Sequence, residues 1–302
     1  MRFIFPPRPA TAAPLRSLDA TTRDAELSGV IYIACSGVIF VAMSSIIKVV
    51  TPTIPVLEVS VLRSILSIPL FFFLIPRDDT PVFRSFLTRD HFLRSAFGYA
   101  NFLCFVFCIS MLPLAVASAL FYTAPIWSLL LSVFVLNERH GAAPVLTLIL
   151  GLFGMLAIIQ PSIGDMNLWI VVGLVGAALG SLAMTMVRRL SVAETPERIA
   201  LGFMLWSSAI GLPLAIPQWV WPTPDQWLLL FLIGILATLA QVALTRGYAL
   251  ARLARGAPFD FIRLPASLII GLVFFAEYPT PLMWCGVGLI LIGSAITMAE
   301  KT

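Results

Sequence analysis

A chain of 302 residues with 60% hydrophobic and 11% charged residues and a mean hydropathy of +1.00 is not a water-soluble globule, in which about a quarter of the residues carry charge. The net charge of +4 and pI near 9.1 would suit a nucleic-acid binder, but the basic residues are distributed as membrane topology requires, so no nucleic-acid partner is expected. Two histidines, and no HExxH, GxSxG or phosphate-binding glycine loop, exclude the common enzyme classes and give no cofactor site.

The first 27 residues hold four prolines among arginines and acids and read as a disordered cytosolic tail, since such a composition cannot form a packed core. Ten apolar runs follow, at about 28–48, 54–75, 93–112, 115–136, 143–160, 167–187, 198–217, 226–248, 255–276 and 281–299. Each approaches the roughly 20 residues a helix needs to cross a bilayer, and their continuous apolarity excludes barrel strands, which alternate. With both termini cytosolic, fifteen of the 19 basic residues fall in cytosolic segments, among which Arg94, Arg198 and Arg255 are counted at the ends of their spans. Only Lys48 is external, and Arg63, Arg246 and Arg263 lie within spans. The external Trp219, Trp221 and Trp227 fit an interfacial aromatic belt. The fold class is therefore an all-α membrane protein of ten transmembrane helices.

The two halves resemble each other. Ala42-Met43-Ser44 of span 1 matches Ala183-Met184-Thr185 of span 6, and Lys48 falls opposite Arg189. Ala117, Phe121 and Pro125 of span 4 match Ala257, Phe261 and Pro265 of span 9, and Glu138 matches Glu277. Five spans per half make the second repeat enter the membrane inverted, as in secondary carriers whose substrate lies between the halves. The units are 28–161 and 167–299. In this arrangement Pro125 and Pro265 are candidate kinks, and Gly176 with Gly180 forms a small-residue stripe suited either to packing within the monomer or to a dimer face.

Leu112-Pro113-Leu114-Ala115, Tyr122, Ala124-Pro125 and Leu136-Asn137-Glu138-Arg139, answered by Arg255-Gly256-Ala257-Pro258, Arg263-Leu264-Pro265 and Phe275-Ala276-Glu277, resemble the signature of EamA-type carriers of the drug/metabolite transporter superfamily. Phe259 to Pro265, together with Arg63, look most like the branch containing S-adenosylmethionine and organic-anion carriers. The resemblance implies a bacterial inner-membrane protein, monomer or homodimer, with a cavity lined mainly by spans 1, 3, 4, 6, 8 and 9. It would carry a small metabolite by alternating access, with a proton or another ion as the candidate coupling partner.

Charge inside a bilayer costs about 2.5 to 3.5 kcal/mol per residue on insertion scales, so Glu58, Arg63, Asp260 and Arg263 call for a role. Glu58 could pair with Lys48 at the external interface. Asp260 and Arg263, three apart, could neutralise each other; alternatively Arg263 presents its fork to a carboxylate or phosphate, with Thr123 at the matching place in span 4. Asn101 and Phe105 align with Gln241 and Thr245, and Cys108 with Tyr248, placing an amide on each side of the midplane. Tyr99, Tyr122 and Trp127 could stack on a planar cargo, and Met184 belongs to the repeated span 6 motif. The resulting candidate substrate-binding set is Arg63, Tyr99, Asn101, Phe105, Tyr122, Thr123, Trp127, Met184, Gln241, Tyr248, Asp260 and Arg263. Cys104 and Cys108 share a helix face without a further metal ligand at suitable spacing, so no metal is expected. A lipophilic-cation exporter, attracted by Asp260 or Glu58, is the alternative function; a channel fits the inverted repeat less well.

Overall fold

The structure is a computed structural model; it describes residues 20–74, 85–121, 123–124, 127, 142–160, 168–250 and 263–299. Among these are α1 (Ala20–Val50), α2 (Val56–Leu74), α3 (Arg89–Met111), α4 (Leu114–Phe121), α5 (Ala142–Ile159), α6 (Leu168–Leu190), α7 (Pro196–Ala215), α8 (Pro224–Leu250), α9 (Arg263–Phe275) and α10 (Pro281–Ala299). There are no strands among the described residues. The segments Leu27–Val50, Val56–Leu74, Arg89–Met111, Leu168–Val187, Pro196–Gln218 and Pro224–Gly247 are long and apolar enough to cross a membrane, and Ile149–Ile158, Arg263–Phe275 and Pro281–Gly293 are shorter apolar helices. The chain is a multi-pass integral membrane protein.

Helix α1 starts at Ala20, inside the segment expected to be a tail, and its membrane-length apolar part begins at Leu27. The starts of later helices follow local rules. Pro196 opens α7, where its missing N–H removes no helical bond. At α8 a capping box forms: Gln226 N–H donates to Thr223 Oγ1 at 3.4 Å, and Thr223 N–H donates to Gln226 Oε1 at 2.7 Å. Pro265 is the third residue of α9. Pro125 and the residues preceding Arg263, which the predicted kinks require, lie outside the described residues.

Packing follows a regular scheme. α1 lies on α8 and α3 on α6, while α5 pairs with α10, α2 with α7 and α4 with α9. α2 also contacts α8, and α3 contacts α7. Small residues let backbones approach, as expected where lipid supplies no hydrophobic drive between helices. A Cβ on Gly154 would lie 2.6 Å from the carbonyl oxygen of Gly286 where α5 crosses α10. Gly176 and Gly180 perform the same task inside the monomer, pressing α6 onto Cys104, Phe121 and Asn101. The largest core cluster, with Met43, Ile47, Leu62, Phe102, Val106, Ile109 and Ile233, joins α1, α2, α3 and α8.

Candidate functional site

Four helices enclose a cavity of about 80 Å³. Phe40, Val41 and Ser44 come from α1, Asn101, Phe102 and Phe105 from α3, Ser118 and Phe121 from α4, and Arg263 from the start of α9. Three rings form one aromatic wall: Phe105 lies 5.8 Å from Phe40 and 5.0 Å from Phe121, edge-on to the latter. The Arg263 guanidinium carbon sits 4.8 Å above the Phe40 ring, close enough for a cation–π attraction. Ser44 is turned back onto its own helix, its hydroxyl donating to the Phe40 carbonyl at 2.6 Å. Asn101 is anchored from outside the cavity, its Nδ2 donating to the carbonyl of Gly176 on α6 at 2.7 Å. The absence of a side chain at Gly180 makes that possible, because a Cβ there would stand 2.6 Å from Nδ2.

Of the expected substrate-binding residues, Asn101, Phe105 and Arg263 therefore meet at one cavity. Gln241 is buried on α8, its amide donating to Thr245 Oγ1 at 3.3 Å. Thr123 donates to Leu120 O at 2.7 Å and receives the Trp127 indole N–H at 3.2 Å, so both are engaged within one stretch of chain. Met184 packs against the cluster of Val187, Leu190 and Ile199. Tyr122 and Asp260 lie outside the described residues, as does the side chain of Tyr248; the Asp260–Arg263 pairing falls with them. Phe40, Val41, Phe102 and Ser118 are cavity residues that the sequence does not single out, and Phe121 is not among the expected substrate-binding residues. Phe121 carried a signal, being one of the residues that repeat between the halves.

Arg63 and Tyr99 stand elsewhere, in a wall between α2, α3 and α7. Arg63 is 1% exposed, with its guanidinium carbon 4.0 Å from the centroid of Phe102, so that ring contacts Arg63 and also borders the cavity. Beside it is Arg94, also 1% exposed. Arg94, expected at the cytosolic end of span 3, is buried on α3. His91, which precedes the expected start of span 3 at 93, is buried on α3, with Nε2 2.8 Å from Glu194 Oε2. Burial of a cation in a real protein interior costs several kcal/mol, and stacking on a desolvated ring returns about 2 kcal/mol. Stacking alone therefore leaves each guanidinium under-compensated.

Both ends of the bundle carry ion pairs. At one, Lys48 Nζ lies 2.6 Å from Glu277 Oε1 and donates to the Leu112 carbonyl at 3.1 Å. Glu277 Oε2 accepts the N–H of Leu114 at 2.9 Å, a carboxylate at the start of α4 where the helix dipole favours it. Ala276, at φ 52°, turns the chain through the left-handed region and aims Glu277 back into the bundle. The expected Glu58–Lys48 pair is replaced by this one: Glu58 is buried and accepts the N–H of Val220 at 2.9 Å. Sequence proximity misled here, because the true partner lies 229 residues away. At the other end Arg189 meets Asp90 at 3.1 Å and Arg246 meets Glu197 at 2.5 Å. Arg246, expected within span 8, thus carries its own counter-charge.

Comparison with known proteins agrees with this architecture. Residues 27–160 match the EamA-like transporter family. A riboflavin transporter of Vibrio cholerae is 29% identical over 63% of this chain, a stretch that spans 64% of that transporter's length. A pseudopaline exporter of Pseudomonas aeruginosa is 27% identical over 90% of this chain and 96% of its own. An S-adenosylmethionine uptake transporter of Rickettsia prowazekii is 21% identical over 63% of this chain and 64% of its own. A solved crystal structure superposes over 92% of this chain and 96% of its own with a TM-score of 0.66 at 18% identity, a likeness of fold alone. The stretch that matches is under half of the chain, and over it this multi-pass membrane protein is similar to a family of transporters.

Proposed function

We propose that this chain is a secondary carrier that moves a small polar metabolite bearing an anionic group between two inverted five-helix repeats, with both termini cytosolic and ten membrane-spanning helices. The observation that carries the cargo class is the meeting of Arg263 from the second half and Asn101 from the first at one aromatic-walled cavity. Arg263 supplies a planar cationic fork for a carboxylate or phosphate. Asn101 supplies an amide able to donate and accept, and the phenylalanines supply an apolar surface for the body of the cargo.

The packing scheme supports the repeat. Exchanging each helix with the one five places away turns α1 on α8 into α6 on α3 and α2 on α8 into α7 on α3, and leaves the α2–α7, α4–α9 and α5–α10 pairs unchanged. A cavity of about 80 Å³ is well below the roughly 300 Å³ at which ligand pockets begin, so cargo enters as the two halves rock apart. The named relatives include an exporter and an uptake transporter, so direction is not inherited from them. Nor is the identity of the cargo.

The test is competition of uptake by a carboxylic acid and by its methyl ester. The acid should inhibit at least tenfold better, since the neutral ester leaves a buried donor unpaired at about 1 to 3 kcal/mol, and Arg263→Met should erase the difference. Equal inhibition by both in the wild type would remove the anion-bearing cargo and promote lipophilic-cation export.

A further inference from the structure

The Arg63 and Arg94 wall is unused by the proposed transport site. Neither residue borders the cavity. The Phe203 ring centroid lies 3.9 Å from the Arg94 guanidinium carbon and 5.9 Å from that of Arg63, so the two cations share one aromatic ring. Rings compensate only the faces of a guanidinium. Its N–H groups, which point outward in the plane, require acceptors, yet Nε and Nη1 of both arginines are buried without a hydrogen-bond partner.

The acids whose side chains are described are engaged or placed elsewhere. Glu58 accepts from Val220 through Oε2 and leaves Oε1 unpartnered, Glu194 faces His91, Glu197 holds Arg246, Asp90 meets Arg189, Glu277 holds Lys48, and Asp225 is exposed at the start of α8. Three hydroxyls in the same wall are also buried and unpartnered: Ser95 and Tyr99 on α3 and Ser207 on α7. They belong to two facing stripes, Ser95, Gly98, Tyr99 and Phe102 on α3 and Phe203, Ser207 and Gly211 on α7. The glycines make the fit: a Cβ on Gly98 would lie 2.9 Å from Arg94 Nη1, and one on Gly211 would collide with the Tyr99 hydroxyl. The wall thus collects two cations and three hydroxyl donors, and among the described residues these buried nitrogens and hydroxyls have no protein acceptor.

We propose that Arg63 and Arg94, with the hydroxyls of Tyr99, Ser95 and Ser207, hold a compact monovalent inorganic anion of chloride size between α2, α3 and α7, separately from the transported cargo. A spherical ion suits this donor set because it accepts from guanidinium and hydroxyl groups without demanding a fixed geometry. The closeness of packing favours a single small ion over an organic acid. Because Phe102 both stacks on Arg63 and borders the cavity, the ion would fix a wall of the transport site.

The experiment compares the melting temperature of the purified full-length protein in sodium chloride and in sodium gluconate at equal ionic strength. Chloride should raise it by several degrees in a saturable manner, and Arg63→Met and Arg94→Met should each abolish the response. Both variants replace a buried cation by an apolar side chain of similar length. If either fails to fold, anomalous scattering from bromide in crystals of the wild type decides, by a peak between the two guanidinium groups or none there. Arg263→Met must keep the chloride response, which separates this site from the cargo site even if the anionic-cargo reading fails. Equal melting in the two salts overturns the proposal, as does a chloride response that survives both substitutions, and as does stabilisation by acetate but not chloride, which would give the arginines to a carboxylated cargo.

Discussion

The two polar ends of the bundle do different mechanical jobs. At the Lys48 end one carboxylate reaches across the bundle, so that Glu277, beyond α9, holds Lys48 on α1 and the first N–H of α4. These are three of the four helices that enclose the cavity. At the Arg189 end the described pairs stay between neighbours, α6 with α3 and α8 with α7. One end is tied across the cavity and the other along helix pairs that pack together anyway. Ion pairs of similar length can therefore govern opening at one end and only stability at the other.

Breaking the crossing link should have the largest effect. Glu277→Ala removes an ion pair about four-fifths buried and a helix cap together, a loss of about 2 to 4 kcal/mol from the closed arrangement. A cysteine placed at Ser118 should then react with a membrane-impermeant thiol reagent from the Lys48 side at least tenfold faster than in the parent. Lys48→Met should accelerate the same labelling less, because Glu277 keeps the N–H of Leu114. Exchanging the charges, Lys48→Glu with Glu277→Lys, should restore closure only in part, since a lysine cannot accept that N–H. Unchanged labelling in Glu277→Ala would show that the link does not govern access.

The contrast is sharpened at the other end. Arg246→Met leaves the carboxylate of Glu197, 7% exposed, without its cation, and should lower stability by about 1 to 3 kcal/mol while leaving labelling at Ser118 unchanged. Thermal melting and the labelling rate, measured on one preparation, check both halves of that statement. Asp90→Asn should do least: its pair with Arg189 is about one-third exposed on each side, and such pairs contribute roughly 0 to 1 kcal/mol. A larger melting shift than that of Arg246→Met would reverse the ranking.

How far the sequence anticipated this depends on the range of the interaction. Apolar runs mark the helices because the bilayer imposes their length, and Asn101 could be singled out because the repeat supplied a second copy of its position. Arg94 could not be found by counting loop charges. Its burial depends on α2 and α7 arriving beside α3, although the small residues Ser95 and Gly98 on the same helix already hinted at a packed face. The Lys48–Glu277 pair was half visible, since Lys48 aligns with Arg189 and Glu277 with Glu138, but joining them required the closing of 229 residues of chain. The separation of Arg63 from Arg263 was invisible for the same reason: depth along a helix can be counted, whereas the direction of its face is set by neighbours.

The surroundings of α2 bear on how the protein is made. Glu58 finds its donor at Val220, Ser67 donates to the carbonyl of Gly234 at 3.0 Å, and Arg63 and Arg94 share the ring of Phe203. All three contacts belong to chain synthesised long after α2 has left the ribosome. During that interval α2 carries a carboxylate and a guanidinium into the bilayer without these partners, and its insertion remains reversible until α7 and α8 arrive. The first half expressed alone should therefore be poorly retained in the membrane and quickly degraded, and co-expression of the second half should rescue it.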